Sequence, residues 1–310
     1  MQKHFLLLLP VLAVLAFLTA CQTVPAAQST GLQVIATTSI VADVVQQIGG
    51  DAFTVTTLLP LGSDPHSFQP SPRDMTMVAD AKVIFANGAG LEEFLQPLID
   101  NAGATARVVE VSAGIQLLDA PPGESEAGEA HSGDPHTWVD PNNVLVWVEN
   151  IQAALTELDP ANAADYQANA ERYKSDLQAM HAWIVEQVAT IPPENRVLVT
   201  DHQVYGYFAE RYGFEQIGAI IPGFSTISSA SAKDVAAIES AIQAHKVQAV
   251  FVSESTSTTL IQRVSEDTGV ALVRLYHGSL SEPDGPAASY FDMLRFNVSA
   301  MVAALKKAPQ

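Results

Sequence analysis

The chain has 310 residues, of which 48% are hydrophobic, so it can bury a substantial core and is long enough for two domains of ordinary size. Its 34 acidic residues outnumber its 15 basic residues and give a formal net charge of −19. We do not expect such a chain to bind nucleic acid, because that affinity depends on Lys and Arg at the phosphates.

The first residues are typical of a secretory signal peptide, which we place at residues 1–20. A short polar start precedes an apolar run from Phe5 to Leu18, which is too short for a comfortable membrane span. The only cysteine, Cys21, ends the letters LTAC, which resemble the bacterial lipobox. We therefore predict a lipid on Cys21 and a lipid-anchored tether over residues 21–31; the alternative is an ordinary signal with a stray cysteine.

Strand and helix patterns alternate through residues 32–141, which predicts an N-terminal α/β lobe. Strands are predicted at 32–39, 53–60, 82–88 and 106–112, and helices at 40–50, 71–81 and 91–103. Ser71 is a suitable N-cap, and Pro72 suits the first helical position. Alternation of this kind favours a parallel sheet flanked by helices.

A loop and a long helical region then interrupt the alternation. Residues 119–135 are rich in Pro, Gly, Glu and Ser and are predicted to form an acidic surface loop. Residues 142–191 have helical periodicity, with a second helix over about 161–191 that would be about 45 Å long if continuous. A helix of this length is predicted to be a rigid strut between two lobes.

The alternation resumes over residues 192–310, which predicts a C-terminal α/β lobe. Strands are predicted at 196–201, 214–220, 247–255 and 270–276, with helices at 203–213, 231–246, 257–269 and 289–306. The predicted fold class is therefore α/β, with two lobes that each contain a roughly four-stranded parallel sheet flanked by helices, joined by one long rigid helix.

Four of the eight histidines fall near the carboxyl end of a predicted strand or in the loop after one: His66, His136, His202 and His277. Ligands bind at this edge of open parallel sheets, so a cleft between two lobes could gather these imidazoles around a transition metal. The other histidines lie elsewhere: His4 in the signal, His131 in the acidic loop, and His181 and His245 on helices, where we predict that they are solvated.

The sequence Asp-Pro-His occurs twice, at 64–66 and at 134–136. The proline restricts the backbone before each histidine, and the aspartate can accept a hydrogen bond from a turn amide. A ligand imidazole also needs a carboxylate or carbonyl to orient it, and Asp201-His202 repeats the pairing of Asp with His. Three such pairs together favour a metal site over three unrelated surface turns.

Several segments together resemble the zinc- and manganese-binding solute-binding lipoproteins of bacterial ABC transporters (the ZnuA/TroA-like, cluster A-I family). They are IATTSIVADVVQQIGGD, LLPLGSDPHSFQPSP, DPHTWVDPNN, TDHQVYGYFAERYG and AASYFDMLRFN, and the resemblance covers essentially the whole mature chain. It implies two lobes linked by a single rigid helix with the metal between them. The family's ligand positions match His66, His136 and His202.

The fourth ligand is where this chain departs from the family pattern. Many members have an aspartate after the last strand, and Gly278 occupies its place here, in YHGSLSEP. His277 beside it and Glu254 at the end of the preceding strand are the two candidate replacements. The remaining alternatives are a water molecule as fourth ligand and, for Glu254, an outer carboxylate or a helix cap.

Three imidazoles favour Zn²⁺ as the bound ion, with Mn²⁺ possible, because manganese prefers more carboxylate oxygen. The predicted function is capture and delivery to an ABC permease by a monomer anchored to the outer face of a membrane, with no catalysis. Acid should weaken binding, since protonated histidines cannot be ligands.

Two other functions remain open from the sequence. A zinc hydrolase also uses three histidines and water, although the chain has no His-Glu-x-x-His motif and only Glu254 as a candidate base. A cell-surface adhesin role is reported for some members of the family that the chain resembles.

Overall fold

The computed structural model describes residues 31–119, 133–227, 230–254 and 259–306. The predicted signal peptide, Cys21, all but the last residue of the tether, most of the acidic loop and His131 lie outside these ranges. None of the helices within the described ranges is long and apolar enough to cross a membrane.

The first half of the chain forms a parallel sheet and its helices. Its elements are β1 (Val34–Ala36), α1 (Ser39–Gly49), β2 (Val55–Thr57), α2 (Pro72–Asp80), β3 (Val83–Ala86), α3 (Leu95–Ala102) and β4 (Arg107–Glu110). The strands lie in the order β2-β1-β3-β4, and every neighbouring pair is parallel. We call this sheet, α1–α3 and the turn that bears His136 the N-terminal lobe.

Two helices follow, α4 (Pro141–Leu158) and α5 (Ala163–Val188), and then a second sheet. Its elements are β5 (Val197–Thr200), α6 (Gly206–Tyr212), β6 (Glu215–Ala219), α7 (Ala232–Ala244), β7 (Ala249–Ser253), α8 (Thr259–Thr268), β8 (Ala271–Leu275) and α9 (Tyr290–Leu305). The strand order is β6-β5-β7-β8, again all parallel, and we call these elements the C-terminal lobe. Two parallel four-stranded sheets flanked by helices confirm the predicted fold class.

Both sheets change the direction of their connections next to the first strand: between β1 and β3, and between β5 and β7. A crevice opens at the carboxyl ends of the strands at such a point, and it is the usual ligand site of open α/β sheets. Each lobe therefore presents one such crevice.

Local sequence accounts for the helix starts. The Ser71 hydroxyl accepts from the Asp74 backbone N–H while the Asp74 carboxylate accepts from the Ser71 N–H, which is a capping box and confirms the predicted cap of α2. Helix α3 begins at Leu95, four residues later than the sequence pattern predicts. The reason is that the Glu92 side chain accepts hydrogen bonds from the backbone of residues 87 and 88 and holds this segment in a turn.

Helix α5 has 26 residues and is about 39 Å long. It is shorter than predicted because residues 160–162 form a separate 3₁₀ turn and the helix ends at Val188. Its buried side chains form one stripe along the helix: Tyr166, Ala170, Tyr173, Leu177, Met180, Ile184 and Val188. Through this stripe it packs against α4, α1 and α9. A single apolar cluster contains side chains of both sheets and these four helices.

We expect Ile184→Val to lower the free energy of unfolding by about 1 kcal/mol, because it removes one methylene from a fully buried position on α5. Val185→Ala is the matched control on the same helix, since that side chain is 47% exposed. The control should change stability by less than about 0.5 kcal/mol. Urea unfolding of the metal-free protein measures both, and equal effects would contradict the burial assigned to the stripe.

Candidate metal centre

His66 is presented by the first Asp-Pro-His turn. The Asp64 Oδ1 atom accepts a hydrogen bond from the His66 backbone N–H at 3.0 Å, which confirms the predicted role of this aspartate. The Asp64 Oδ2 atom accepts from the Ser67 hydroxyl at 3.1 Å and from the Thr226 hydroxyl of the C-terminal lobe. The ring of His66 is half-buried, so this turn lies at the mouth of the cleft and contacts both lobes.

His136 is presented by the second Asp-Pro-His turn and is 1% exposed. The Asp134 Oδ1 atom accepts from the His136 backbone N–H at 2.9 Å and from ring Nδ1 at 2.8 Å. A carboxylate oxygen accepts and does not donate, so Nδ1 carries the proton, and the neutral ring keeps a lone pair on Nε2. The same aspartate therefore fixes both the turn and the direction of the lone pair.

His202 follows β5 directly and belongs to the C-terminal lobe. Asp201 Oδ1 accepts from the His202 backbone N–H at 2.9 Å and from ring Nδ1 at 3.0 Å. Asp201 Oδ2 accepts from the Ser253 N–H at 2.7 Å, at the end of β7. Burial alone would raise the pKa of Asp201, but the imidazoles of His277 and His202 hold it well below its usual range. Asp201 is therefore an ionised acceptor that leaves the His202 lone pair on Nε2.

The three rings converge on one point. The Nε2 atom of His136 lies 3.1 Å from Nε2 of His66 and 3.3 Å from Nε2 of His202. The Nε2 lone pairs of His136 and His202 face each other at this separation and repel, and a cation between them turns the contact into a favourable one. A tetrahedron with metal–nitrogen bonds of about 2.0–2.1 Å has edges of about 3.3–3.4 Å, close to these separations.

The space beside the three rings is small, with a volume of about 10 Å³. The other side chains around it include Trp138, Thr226 and Ser253, with Gly278 on one wall. A volume of this size holds about one water-sized body, whereas pockets for organic ligands measure about 300–1,000 Å³. The cavity is therefore about the size of a single ion.

His277 lies next to this group but is not part of it. Its ring is 2% exposed, and Nε2 lies 3.5 Å from Asp201 Oδ1. It forms a second group with Asp201 and His202, whose potential ligand atoms lie within 4.8 Å of one another. Within the described part of the chain, the 3.5 Å approach to Asp201 is the polar contact of this ring, and neither ring nitrogen makes a hydrogen bond of good geometry there. Its backbone carbonyl accepts from the Trp138 indole N–H at 2.8 Å, which links this loop to the segment that bears His136.

Glu254 lies away from the cavity, whereas Gly278 lines it. The Glu254 side chain is 40% exposed, lies 3.9 Å from the Arg274 guanidinium and is not among the residues around the cavity. Gly278 faces the cavity, and a Cβ atom built there would meet only Pro65 Cδ, at 3.6 Å. A Cβ atom at residue 278 would therefore lie in open space beside the three histidines.

The remaining histidines are remote from the cluster within the described residues. His245 is exposed, as predicted. The prediction that His181 is solvated is wrong: it is half-buried, and its Nδ1 atom lies 3.1 Å from the Tyr212 hydroxyl and 3.2 Å from Asn142 Nδ2. The polar neighbours of His181 along its own helix gave no sign of a partner on α6.

Sequence reasoning also missed Thr226, Ser253 and Trp138 around the cavity. Thr226 and Ser253 reach the site through contacts across 162 and 52 residues of sequence, which no local motif indicates. Trp138 gives a weak signal, because it lies two residues after His136 in the quoted DPHTWVDPNN segment. An aromatic residue so close to a candidate ligand is a reasonable wall for its pocket.

The chain is similar to known proteins along nearly its whole described length. Residues 34–304 match the family described as "Zinc-uptake complex component A periplasmic". The manganese-binding lipoprotein MntA of Halalkalibacterium halodurans is 37% identical over 278 residues, which are 89% of each chain.

Two solved structures share the fold. The manganese-bound periplasmic metal-binding protein of Candidatus Liberibacter asiaticus superposes with a TM-score of 0.76 at 31% identity, over 88% of this chain and 98% of that one. The periplasmic zinc-binding protein TroA of Treponema pallidum does so with a TM-score of 0.79 at 26% identity, over 88% and 99%. This chain therefore belongs to the zinc-uptake complex component A family of substrate-binding proteins of ABC transporters.

Proposed function

We propose that this protein captures a divalent transition metal between its two lobes and delivers it to an ABC permease for import. The observation that carries the proposal is the convergence of three imidazoles, each of which has a ring nitrogen within 4.8 Å of those of the other two. Carboxylates at Nδ1 of His136 and His202 aim two of these lone pairs inward. His66, His136 and His202 are the proposed ligands.

The proposed cargo is Zn²⁺, because a group of three imidazoles is a nitrogen-rich donor set that suits zinc. Manganese is the second candidate, and the manganese-binding name of the relative from Halalkalibacterium halodurans favours it. The two proposals differ in the fourth ligand: water completes a zinc tetrahedron, whereas manganese favours an added oxygen donor. Of the two side chains considered, His277 is buried beside the ligands and stays a candidate fourth ligand, while Glu254 is turned towards Arg274.

Capture and release would follow from where the ligands lie. His66 and His136 belong to the N-terminal lobe and His202 to the C-terminal lobe, so a bound ion would join the two. Since one apolar cluster runs through both sheets and α5, release is proposed to need only a small tilt or the loosening of one turn. The half-buried His66 turn, at the mouth of the cleft, is the best placed to loosen.

The cellular location of this activity is proposed from the sequence and from the family to which the chain belongs. A lipid on Cys21 would hold a monomer at the extracytoplasmic side of the membrane, where the permease would receive the ion. The zinc-hydrolase alternative is disfavoured by the small cavity and by the place of Glu254, and the family consists of substrate-binding proteins. Nothing in the described residues bears on an adhesin role.

Calorimetric titration of residues 22–310, which lack the predicted signal peptide and the predicted lipidated cysteine, with Zn²⁺ and with Mn²⁺ tests the proposal. We expect one tight site per chain and a preference for Zn²⁺ in direct competition, because three imidazoles supply no anionic oxygen. Tighter binding of Mn²⁺ would replace zinc by manganese as the cargo. Failure to bind either ion would contradict the proposed function itself.

A further inference from the structure

A buried asparagine holds the turn that bears His136. Asn87 follows β3 and is fully buried. Its Nδ2 group donates to the Pro135 carbonyl at 2.9 Å and to its neighbour's carbonyl, that of Gly88, at 2.8 Å. Pro135 is 48 residues away in sequence, so this contact ties the second Asp-Pro-His turn directly to the sheet of the N-terminal lobe.

The contact falls on the peptide unit that orients His136. The carbonyl of the Pro135–His136 peptide accepts from Asn87, and the N–H of the same peptide donates to Asp134. With both polar groups of one peptide plane held, the plane that leads into the His136 Cα atom is fixed. The Asp134 bond to ring Nδ1 then fixes the ring itself.

The residue on the other side of His136 belongs to the same network. The Thr137 hydroxyl lies 2.8 Å from the Ser112 hydroxyl and 3.5 Å from Asn87 Oδ1. The Trp147 indole N–H donates to Ser112 at 2.9 Å. Asn87, Ser112 and Thr137 are all buried, so water does not replace these bonds when one is lost.

Asn87 is itself held from behind by a buried carboxylate. Glu92 Oε1 accepts from the Asn87 backbone N–H at 2.7 Å and from the Thr37 hydroxyl at 2.6 Å, and Glu92 Oε2 accepts from the Gly88 N–H at 3.0 Å. Thr37 follows β1 and Asn87 follows β3, so Glu92 joins the two strand ends that flank the crevice of the N-terminal lobe. The hydrogen bonds of Glu92 therefore hold the Asn87 backbone in place.

We propose that Asn87 is a positioning residue of the metal centre, which makes His136 the fixed ligand against which His66 and His202 close. This inference rests on the proposed function. It assigns the two Asp-Pro-His turns different tasks. The His136 turn is anchored to its own sheet through Asn87 and also to α6 through the Tyr207 hydroxyl, which donates to the Asp134 carbonyl at 2.8 Å. The side-chain contact of the His66 turn is instead to Thr226 of the opposite lobe, through Asp64.

Asn87→Ala tests the proposal, with Asn150→Ala as its matched control. Asn150 also donates two side-chain hydrogen bonds to backbone carbonyls of the N-terminal lobe, those of Val111 and Ala113, at 2.8 and 2.9 Å. It makes no hydrogen bond to the His136 turn among the described contacts. Zn²⁺ affinity is measured by competition with a chelator, site geometry by the visible absorption of bound Co²⁺, and stability by urea unfolding of the metal-free proteins.

We expect Asn87→Ala to bind Zn²⁺ roughly tenfold more weakly and to alter the Co²⁺ spectrum. A tenfold loss is the lower end of the usual effect of removing a residue that orients a metal ligand by hydrogen bonds. Asn150→Ala should lose stability while its affinity and spectrum stay those of the parent. Should Asn87→Ala not fold, Asn87→Ser, which cannot reach both carbonyls, takes its place with the same expected shifts.

Unchanged affinity and spectrum in a folded Asn87 variant would overturn the proposal, as would equal losses of affinity in the Asn87 and Asn150 variants. In either case binding by the parent protein leaves the proposed function standing. A parent protein that binds neither Zn²⁺ nor Co²⁺ would overturn the proposed function and this inference with it.

Discussion

Replacing His136 by alanine should weaken zinc binding about 10²- to 10³-fold. A four-ligand zinc site is worth about 10–16 kcal/mol, so one ligand contributes about a quarter of it, and each 1.4 kcal/mol is a factor of ten. His136 is the central member of the group, since its Nε2 atom is the one in contact with both other rings. Competition titration of the mature protein measures the loss.

The variants His66→Ala and His202→Ala should show losses of the same order, because each removes one of the three convergent lone pairs. His245→Ala is the matched control, as an exposed histidine outside the cluster, and should bind like the parent. If the three cluster variants bind zinc as tightly as the control, the assigned ligands are wrong. Stability of each metal-free variant is measured in parallel, so that a folding defect is not taken for a lost ligand.

The sequence could predict those features of the site that follow from the hydrophobic periodicity and from the topology of the sheets. Alternating strand and helix patterns imply parallel strands, and the carboxyl ends of parallel strands share one edge. His202 follows β5 directly, so its place at that edge needs no further information. The turn geometry is local too, which is why the hydrogen bonds of Asp64 and Asp134 to the backbone of each histidine were predictable.

The part that sequence could not predict depends on contacts between distant segments. Asn87 and Pro135 are 48 residues apart, and an asparagine after a strand most often caps a turn. His277 shows a second limit. Its place in the chain is next to that of the family's aspartate, but adjacent side chains point in different directions, and its ring lies against Asp201 and His202. Spacing gives the neighbourhood of a side chain and not its direction.

A substitution at Gly278 tests most directly whether the site prefers zinc or manganese. Three imidazoles form the proposed ligand group, and the His277 imidazole lies beside the Asp201 carboxylate. Gly278, which the family resemblance aligns with an aspartate, offers no side-chain ligand. The proposed donor set is therefore poor in oxygen, and an acidic residue at position 278 would supply an oxygen ligand.

We expect Gly278→Asp to raise the affinity for Mn²⁺ about 10²-fold, because it adds one anionic oxygen ligand of the kind that manganese prefers. A Cβ atom fits at this position, since it would meet only Pro65 Cδ at ordinary contact distance, 3.6 Å. The gain for Zn²⁺ should be smaller, because zinc accepts nitrogen donors readily. The preference between the two ions should therefore shift towards manganese.

The matched control is Gly278→Asn, which has the same shape as aspartate but no charge. It should bind both ions within about threefold of the parent, because a neutral amide oxygen adds little to the attraction for a divalent cation. Competition between Zn²⁺ and Mn²⁺, measured on both variants, separates an added ligand from a merely filled space. Equal affinities of the Asp and Asn variants for Mn²⁺ would mean that residue 278 does not face the bound ion, which would leave water and the His277 imidazole as the candidate fourth ligands.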